Sequence, residues 1–308
     1  GIGTMGKDAY AFVDFLVRAG QRYWQILPLT PTGYGDSPYQ SLGACAGNHY
    51  LIDLDRLADE GLLKKEEIQN IPWGSNPARV DFGAMYAHRM NVLRQAFQRF
   101  TPDGAYETFV EQNRNWLEDY ALFMALKDTL GGKPWLEWPE ALRLRKADAL
   151  TEKRRELSDE IRLQYFVQYE FDRQWKALRS YANAKGVRII GDVPIYVPLD
   201  SADVWANPEL FQLDESRRPE QVAGCPPDSF TADGQLWGNP IYDWKKMAQT
   251  HYFWWIQRLT AAGKLYDVIR LDHFRGFESY WSVPAGDTTA RNGKWVKGPG
   301  TDFVRTIQ

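Results

Sequence analysis

The sequence has 308 residues, of which 44% are apolar and 25% charged, an ordinary composition for a globular protein with a large core or two domains. A net charge of −3 argues against a basic surface that binds nucleic acid. No continuous apolar segment approaches the ~18 residues of a membrane span. With only Cys45 and Cys225 and no signal-peptide pattern, we expect neither a disulfide framework nor a zinc site, and we expect the cytoplasm as the location.

One pattern recurs along the chain: an amphipathic helix, a glycine, and then a short apolar strand. The three copies place their helices around 9–16, 171–175 and 251–256, their glycines at Gly20, Gly186 and Gly263, and their strands within 23–29, 187–194 and 266–272. Glycine can end a helix in the left-handed conformation, and near-continuous apolar strands are typical of parallel sheets covered by helices. The pattern therefore predicts an α/β fold.

The special residues of these copies follow the ends of their strands. Pro28, Asp192 and Asp272 stand at those positions, and sites at the carboxyl ends of strands are typical of a (β/α)8 TIM barrel. Only about three of the eight strands are found, so we expect the early strands of such a barrel alone. The chain also begins in a predicted loop and ends in the opening turns of a helix at 300–308, which favours an incomplete barrel.

A helical region separates the first copy from the second. Aromatic and methionine side chains recur at helical spacing within 56–183, and Gly131-Gly132-Lys133-Pro134 and Trp138-Pro139 interrupt it. We interpret the aromatic stripe as packing, and Asp128, His88 and Glu137 as structural. The predicted organisation is a first part of the barrel at 1–55, a helical insertion at 56–183, and a continuation of the barrel at 184–308.

The last predicted strand, Val268-Ile269-Arg270-Leu271-Asp272, carries charged residues at its far end. With a strand period of two, Val268, Arg270 and Asp272 share one face. A guanidinium so close favours the ionised form of the Asp272 carboxylate, and a carboxylate must be ionised to act as a nucleophile. A purely structural ion pair in a barrel interior is the alternative.

Two loops are too long and too aromatic to be simple spacers. The first spans 31–41 after the first strand, and the second spans 224–240, where we predict no regular structure. Long loops in compact domains are usually functional or disordered, and the Trp, Phe and paired Pro residues argue against disorder. The thirteen Trp, sixteen Tyr and fifteen Phe of the chain also suit sugar rings. Ordinary surface loops are the alternative.

Five stretches, taken together and in order, carry a family resemblance. They lie at 37–41, 47–54, 191–196, 226–240 and 270–276, and they read SPYQS, GNHYLIDL, GDVPIY, PPDSFTADGQLWGNP and RLDHFRG. The sequence resembles the amylomaltase family, the 4-α-glucanotransferases or disproportionating enzymes, which are cousins of the α-amylases. The resemblance covers nearly the whole chain.

The resemblance implies roles for particular residues. Asp272 matches the catalytic nucleophile at the end of the fourth barrel strand, and Arg270 is its neighbour in the site. The remaining matches are substrate-binding residues: Tyr39, Ser37, Asp192, His273, Trp237, Asp228, Asn239 and Tyr34. Trp237, Asp228 and Asn239 belong to the loop that covers the groove, and Tyr34 matches a surface aromatic that holds a remote part of the glucan.

The resemblance also implies a reaction. The enzyme would transfer segments of an α-1,4-glucan donor to an acceptor glucan or glucose through a covalent glycosyl-enzyme, with retention. The family's acid/base glutamate and its third carboxylate lie on later strands, so we expect the 308 residues alone to be inactive. The loop at 224–240 would hold the acceptor and exclude water.

Two other functions stay open. A retaining α-glucan hydrolase would release glucose without forming longer glucans, and a non-catalytic glucan-binding protein would tolerate the loss of Asp272. We expect no metal and no cofactor, because His49, His88, His251 and His273 are scattered and neither a calcium loop nor a phosphate-binding motif occurs. No feature of the sequence indicates an oligomeric state.

Overall fold

The computed structural model describes residues 2–33, 35–76 and 78–308. The helices are α1 Lys7–Arg18, α2 Leu54–Asp59, α3 Lys65–Gln69, α4 Phe82–Arg99, α5 Gly104–Thr129, α6 Glu140–Arg143, α7 Ala147–Glu156, α8 Ser158–Ala184, α9 Ala202–Ala206, α10 Trp244–Gln249, α11 Phe253–Leu265 and α12 Gly300–Ile307. The strands are β1 Tyr23–Gln25, β2 Arg188–Val193, β3 Gln221–Cys225, β4 Gln235–Pro240, β5 Val268–Leu271, β6 Ser279–Pro284 and β7 Lys294–Lys297. Short 3-10 helices occupy His49–Leu51, Trp135–Glu137, Pro208–Leu210 and Phe274–Phe277.

The three strands predicted from the recurring pattern form one parallel sheet in the order β1-β2-β5. Gln25 is opposite Ile190, and Asp192 is opposite Arg270. Each strand follows a long helix, α1, α8 or α11, as covered parallel strands require. The α/β class is therefore confirmed, and membership of a closed eight-stranded barrel stays a prediction.

The glycines of the recurring pattern do not all act as helix ends. Gly20 and Gly186 follow α1 and α8 with φ of +70° and +81°, the left-handed conformation that was predicted. Gly263 lies inside α11, which continues to Leu265, so the prediction was wrong there. A glycine within a helix costs little enough for the packing of the helix to override it.

The region between β1 and β2 is helical and dominated by α4, α5 and α8. Asp81 and Asp103 begin α4 and α5, because each carboxylate accepts a hydrogen bond from a backbone N–H of the first turn. Phe123 and Phe166 are completely buried, Phe123 against Trp138 and Phe166 against Phe97, in agreement with packing aromatics. Within the described ranges, no helix offers the length of apolar surface that a membrane crossing needs.

A second sheet is antiparallel and has the order β4-β3-β6-β7. The prediction that 224–240 lacks regular structure was wrong at both ends, because Gly224 and Cys225 close β3 and residues 235–240 form β4. A methyl group at Gly224 would lie 2.4 Å from the Gln235 carbonyl oxygen. Glycine here permits close pairing of two strands at a bulge rather than marking a loop.

Gly191 in the middle of β2 allows an aromatic ring to lie flat against the parallel sheet. A methyl group at this position would lie 2.1 Å from the Tyr266 ring. The Tyr266 hydroxyl in turn accepts a hydrogen bond of 3.3 Å from the Leu29 backbone N–H. The contact joins the segments that follow β1 and precede β5 on the buried side of β2.

We expect Gly191→Ala to lower the free energy of unfolding by about 1–3 kcal/mol, because the added methyl group overlaps the Tyr266 ring in a packed layer. The measurement is urea unfolding followed by tryptophan fluorescence. Gly263→Ala is the matched control, since no atom beyond the adjacent residues and the backbone of its own helix lies within 4 Å of the added carbon, and it should leave stability unchanged or raise it. Equal stabilities of the two variants would contradict this account of Gly191.

Candidate active site

The candidate site lies where β2 and β5 end side by side. Asp192 and Arg270 are register partners, so their side chains share one face of the sheet, and Asp272 follows on that face two residues later. Arg270 Nη1 donates to Asp192 Oδ1 at 2.6 Å, and Arg270 Nη2 donates to Asp272 Oδ1 at 2.7 Å. One guanidinium therefore bridges two carboxylates.

The two carboxylates differ in their access to solvent. Asp192 is only 4% exposed, whereas the Asp272 side chain is 37% exposed and that of Arg270 46%. The Asp272 backbone N–H donates to the Val193 carbonyl at 3.0 Å, which fixes the start of the turn after β5. Asp272 thus lies at the open end of the sheet, outside the hydrophobic layer between strands and helices, with its carboxylate within reach of a ligand.

The electrostatics of the cluster keep its cation charged. The hydrogen bond to Asp192, then the negative charge of Asp192, and then the same two interactions with Asp272 raise the pKa of Arg270. A permanently charged guanidinium with donors in a fixed fork suits two carboxylates at once. Arg270 thereby holds Asp272 in one orientation.

Tyr39 in the loop at 31–41 completes the surroundings of Asp192. Its hydroxyl donates to Asp192 Oδ2 at 2.9 Å, and its backbone N–H donates to Ser37 Oγ at 3.3 Å. Removal from water, followed by the hydrogen bond to Asp192, raises the pKa of Tyr39. Tyr39 remains a neutral donor, and part of its ring faces solvent beside the carboxylates.

His273 and Trp237 lie next to each other beside Asp272. Their ring centroids are 4.9 Å apart in an edge-to-face arrangement, and Trp237 also approaches the buried ring of Tyr196 at 6.3 Å. His273 has a left-handed backbone with φ of +51°, in a turn that Gly276 closes against Ile195. Burial lowers the pKa of His273, so the imidazole is neutral at physiological pH.

Tyr196 was assigned no role from the sequence, although it ends the GDVPIY stretch. Its ring is buried between Trp237 and Tyr242, with the Tyr242 ring stacked at 5.8 Å. Tyr196 supports the site by packing against Trp237. A single sequence does not distinguish such a supporting ring from any other buried tyrosine.

The loop between β3 and β4, residues 226–234, is called the cover loop below. Asp228 Oδ1 accepts hydrogen bonds from the backbone N–H groups of Phe230 and Thr231, at 2.8 and 2.9 Å, so Asp228 shapes the loop itself. Asn239 is buried on β4. In the described part of the chain, no hydrogen bond joins either residue to the cluster of Asp192, Arg270 and Asp272, and Tyr34 lies outside the described residues.

The described residues contain no group of three or more His, Cys, Asp or Glu side chains that could hold a metal ion. The site offers a solvent-accessible carboxylate held by a cation, a second carboxylate held by the same cation and a phenol, and the aromatic rings of Tyr39 and Trp237. That combination suits nucleophilic attack on a neutral, hydroxyl-rich ligand.

Comparisons with known proteins agree with one another. The sequence profile of a family described as 4-alpha-glucanotransferase matches residues 1–308. The 4-alpha-glucanotransferase of Clostridium butyricum is 50% identical over 311 residues, which cover 100% of this chain and 64% of the relative, and that of Streptococcus pneumoniae is 51% identical over 312 residues, with 100% and 62% coverage.

A solved structure is also similar. The amylomaltase of Streptococcus agalactiae, solved in complex with acarbose, superimposes with a TM-score of 0.95 at 46% sequence identity, over 99% of this chain and 62% of that one. The chain thus spans somewhat less than two thirds of the length of the relatives it matches.

We expect Tyr39→Phe to lower the free energy of unfolding by about 1 kcal/mol, because the buried Asp192 carboxylate loses a donor that water can only partly replace. The ring itself is kept, so packing should change little. The measurement is urea unfolding, with Tyr23→Phe as the control, since Tyr23 is an exposed tyrosine on β1. An equal loss of unfolding free energy in both variants would show that the hydrogen bond from Tyr39 to Asp192 does not stabilise the fold.

Proposed function

Since the chain belongs to the 4-alpha-glucanotransferase family, we propose that its protein transfers segments of α-1,4-glucans to an acceptor glucan or to glucose, with retention of configuration. The observation that carries the proposal is the single guanidinium of Arg270, which orients a solvent-accessible Asp272 beside a buried Asp192. The names of the relatives support the same reaction.

In the first step, the Asp272 carboxylate attacks the anomeric carbon of the donor. The bond from this carbon to the glycosidic oxygen breaks, and the oxygen leaves with the bonding electrons and takes a proton from a carboxylic acid. Arg270 contributes by fixing the orientation of Asp272, and it carries no proton to the leaving group. A covalent glycosyl-enzyme on Asp272 results.

In the second step, the 4-hydroxyl of an acceptor attacks the same carbon from the face that the leaving group vacated, and Asp272 is released. In retaining enzymes the acid of the first step acts as the base of the second, about 5 to 5.5 Å from the nucleophile. Asp192 is poorly suited to this task because Arg270 and Tyr39 already occupy its oxygens. Our assignment, by resemblance, is a glutamate on a later barrel strand.

The other site residues are assigned to substrate binding. Tyr39 and Trp237 would offer aromatic faces to sugar rings, and the neutral His273 would bond a sugar hydroxyl. Asp192 and Ser37 would line the same subsite. Asp228 and Asn239 would shape the cover of the groove, and Tyr34 would contact a remote part of the glucan. The partners are then an α-1,4-glucan donor and acceptor, and the cytoplasm stays the predicted location.

We expect Asp272→Asn to reduce glucan transfer by about 10⁴-fold or more, because an amide cannot form the glycosyl ester. The assay uses the complete polypeptide that the gene encodes, with maltotriose as substrate and chromatography of the products. Longer glucans together with glucose indicate transfer, whereas glucose and maltose alone indicate a hydrolase. Asp148→Asn, on the exposed face of α7, is the control. Full activity of Asp272→Asn, or maltotriose binding without turnover by the wild type, would contradict the proposal.

We expect Trp237→Ala to raise hydrolysis relative to transfer, because the site then holds the acceptor less well and admits water more easily. Glucose release and transfer products are measured in the same reaction. Trp237→Phe keeps an aromatic face against His273 and should retain most of the transfer. An unchanged ratio in Trp237→Ala would count against a role of Trp237 in acceptor binding.

A further inference from the structure

The connection between β6 and β7, residues 285–293, lies against the cover loop and is called the clasp below. The Ala290 backbone N–H donates to the Asp233 carbonyl at 2.9 Å. Arg291 Nε donates to the Ala232 carbonyl at 3.1 Å and lies 2.7 Å from Asp233 Oδ1. All three contacts reach the end of the cover loop that leads into β4, which we call its foot, residues 232–234.

The clasp is itself firmly anchored to the antiparallel sheet. Ala290 is fully buried against Val222 and Val283. Trp281 Nε1 donates to the Ala290 carbonyl at 2.8 Å. A methyl group at Gly293 would lie 2.1 Å from that same nitrogen, so glycine leaves the space that the indole occupies. The clasp therefore provides a fixed point to which the foot is attached.

The remainder of the cover loop, residues 226–231, is held differently. Asp228 and Thr231 bond to the backbone of the loop itself, and within the described ranges no hydrogen bond joins 226–231 to any other segment. Phe230 at its tip is 95% exposed. The cover loop therefore has two parts: residues 226–231 form hydrogen bonds only within the loop, and the foot is attached to the clasp. Strand β4 continues directly from the foot to Trp237.

We propose that Arg291 is a positioning residue that sets the cover loop over the acceptor side of the site and so favours transfer over hydrolysis. This inference rests on the proposed function. The side chains of Arg291 and Asp233 are 58% and 59% exposed, so their ion pair is weak and sensitive to salt. A weak, exposed pair of this kind adjusts the populations of loop conformations without being needed for folding.

The first experiment measures the mobility of the loop and needs no activity. The complete polypeptide is digested with limiting chymotrypsin, and cleavage after Phe230 is followed by mass spectrometry. We expect Arg291→Ala to speed this cleavage about two- to fivefold, the range that loss of an exposed ion pair allows. Arg305→Ala, an exposed arginine on α12, should leave the rate unchanged, and high salt should bring the wild type close to Arg291→Ala.

The second experiment measures the ratio of transfer to hydrolysis with maltotriose. We expect Arg291→Ala to lower the ratio about two- to fivefold, in proportion to the greater opening of the loop. Arg291→Lys keeps the ion pair with Asp233 but loses the planar fork, so it should restore the ratio in part. A merely structural role of Arg291 would change the total rate and leave the ratio unaltered.

The outcomes separate the two proposals. Unchanged cleavage after Phe230 in Arg291→Ala overturns the role of Arg291 in holding the cover loop. Faster cleavage with an unchanged product ratio overturns the role of Arg291 in transfer. A wild type that forms no longer glucans overturns the proposed function, and the cleavage rates still decide whether Arg291 holds the loop.

Discussion

The site depends on one guanidinium that is shared by two carboxylates. Asp192 is buried at the end of β2, where an ionised group is costly unless it is paired and hydrogen-bonded. Arg270 and the Tyr39 hydroxyl supply both requirements, and the second arm of the guanidinium reaches the more exposed Asp272. The buried Asp192 thus orients the cation, and the cation orients the solvent-accessible carboxylate of Asp272. The orientation of Asp272 is therefore a property of the sheet more than of the turn that follows it.

The parallel sheet supports this arrangement from its other side. Gly191, the neighbour of Asp192, has no side chain, and the Tyr266 ring occupies the space behind it. Tyr266 in turn bonds the backbone at Leu29, close to the start of the loop that carries Tyr39. The residues of one short stretch of β2 therefore serve opposite purposes: one face is packed tightly against a ring, and the other presents a carboxylate to the site.

Some of this could be predicted from the sequence, and the reasons differ from residue to residue. The proximity of Arg270 and Asp272 follows from the period of a strand, a purely local rule. The recurring pattern placed Asp192 at the end of a strand, but its contact with Arg270 was not predicted, since pairing between parallel strands far apart in sequence leaves no local trace. The β3–β4 hairpin was missed because Gly224 and the nearby prolines look like breakers when the partner strand is unknown. Gly263 was misjudged because helix packing overrode its intrinsic preference. The catalytic and substrate-binding roles of all the site residues remain predictions.

The backbone of His273 has a consequence for the evolution of the chain. A side chain in the left-handed conformation costs on the order of 1 kcal/mol relative to glycine, which adopts it freely. Selection for heat resistance alone would favour glycine or asparagine at this turn, whereas the imidazole contributes a neutral ring against Trp237. With the substrate-binding role proposed for His273, the position is one where thermal robustness and ligand recognition make opposing demands.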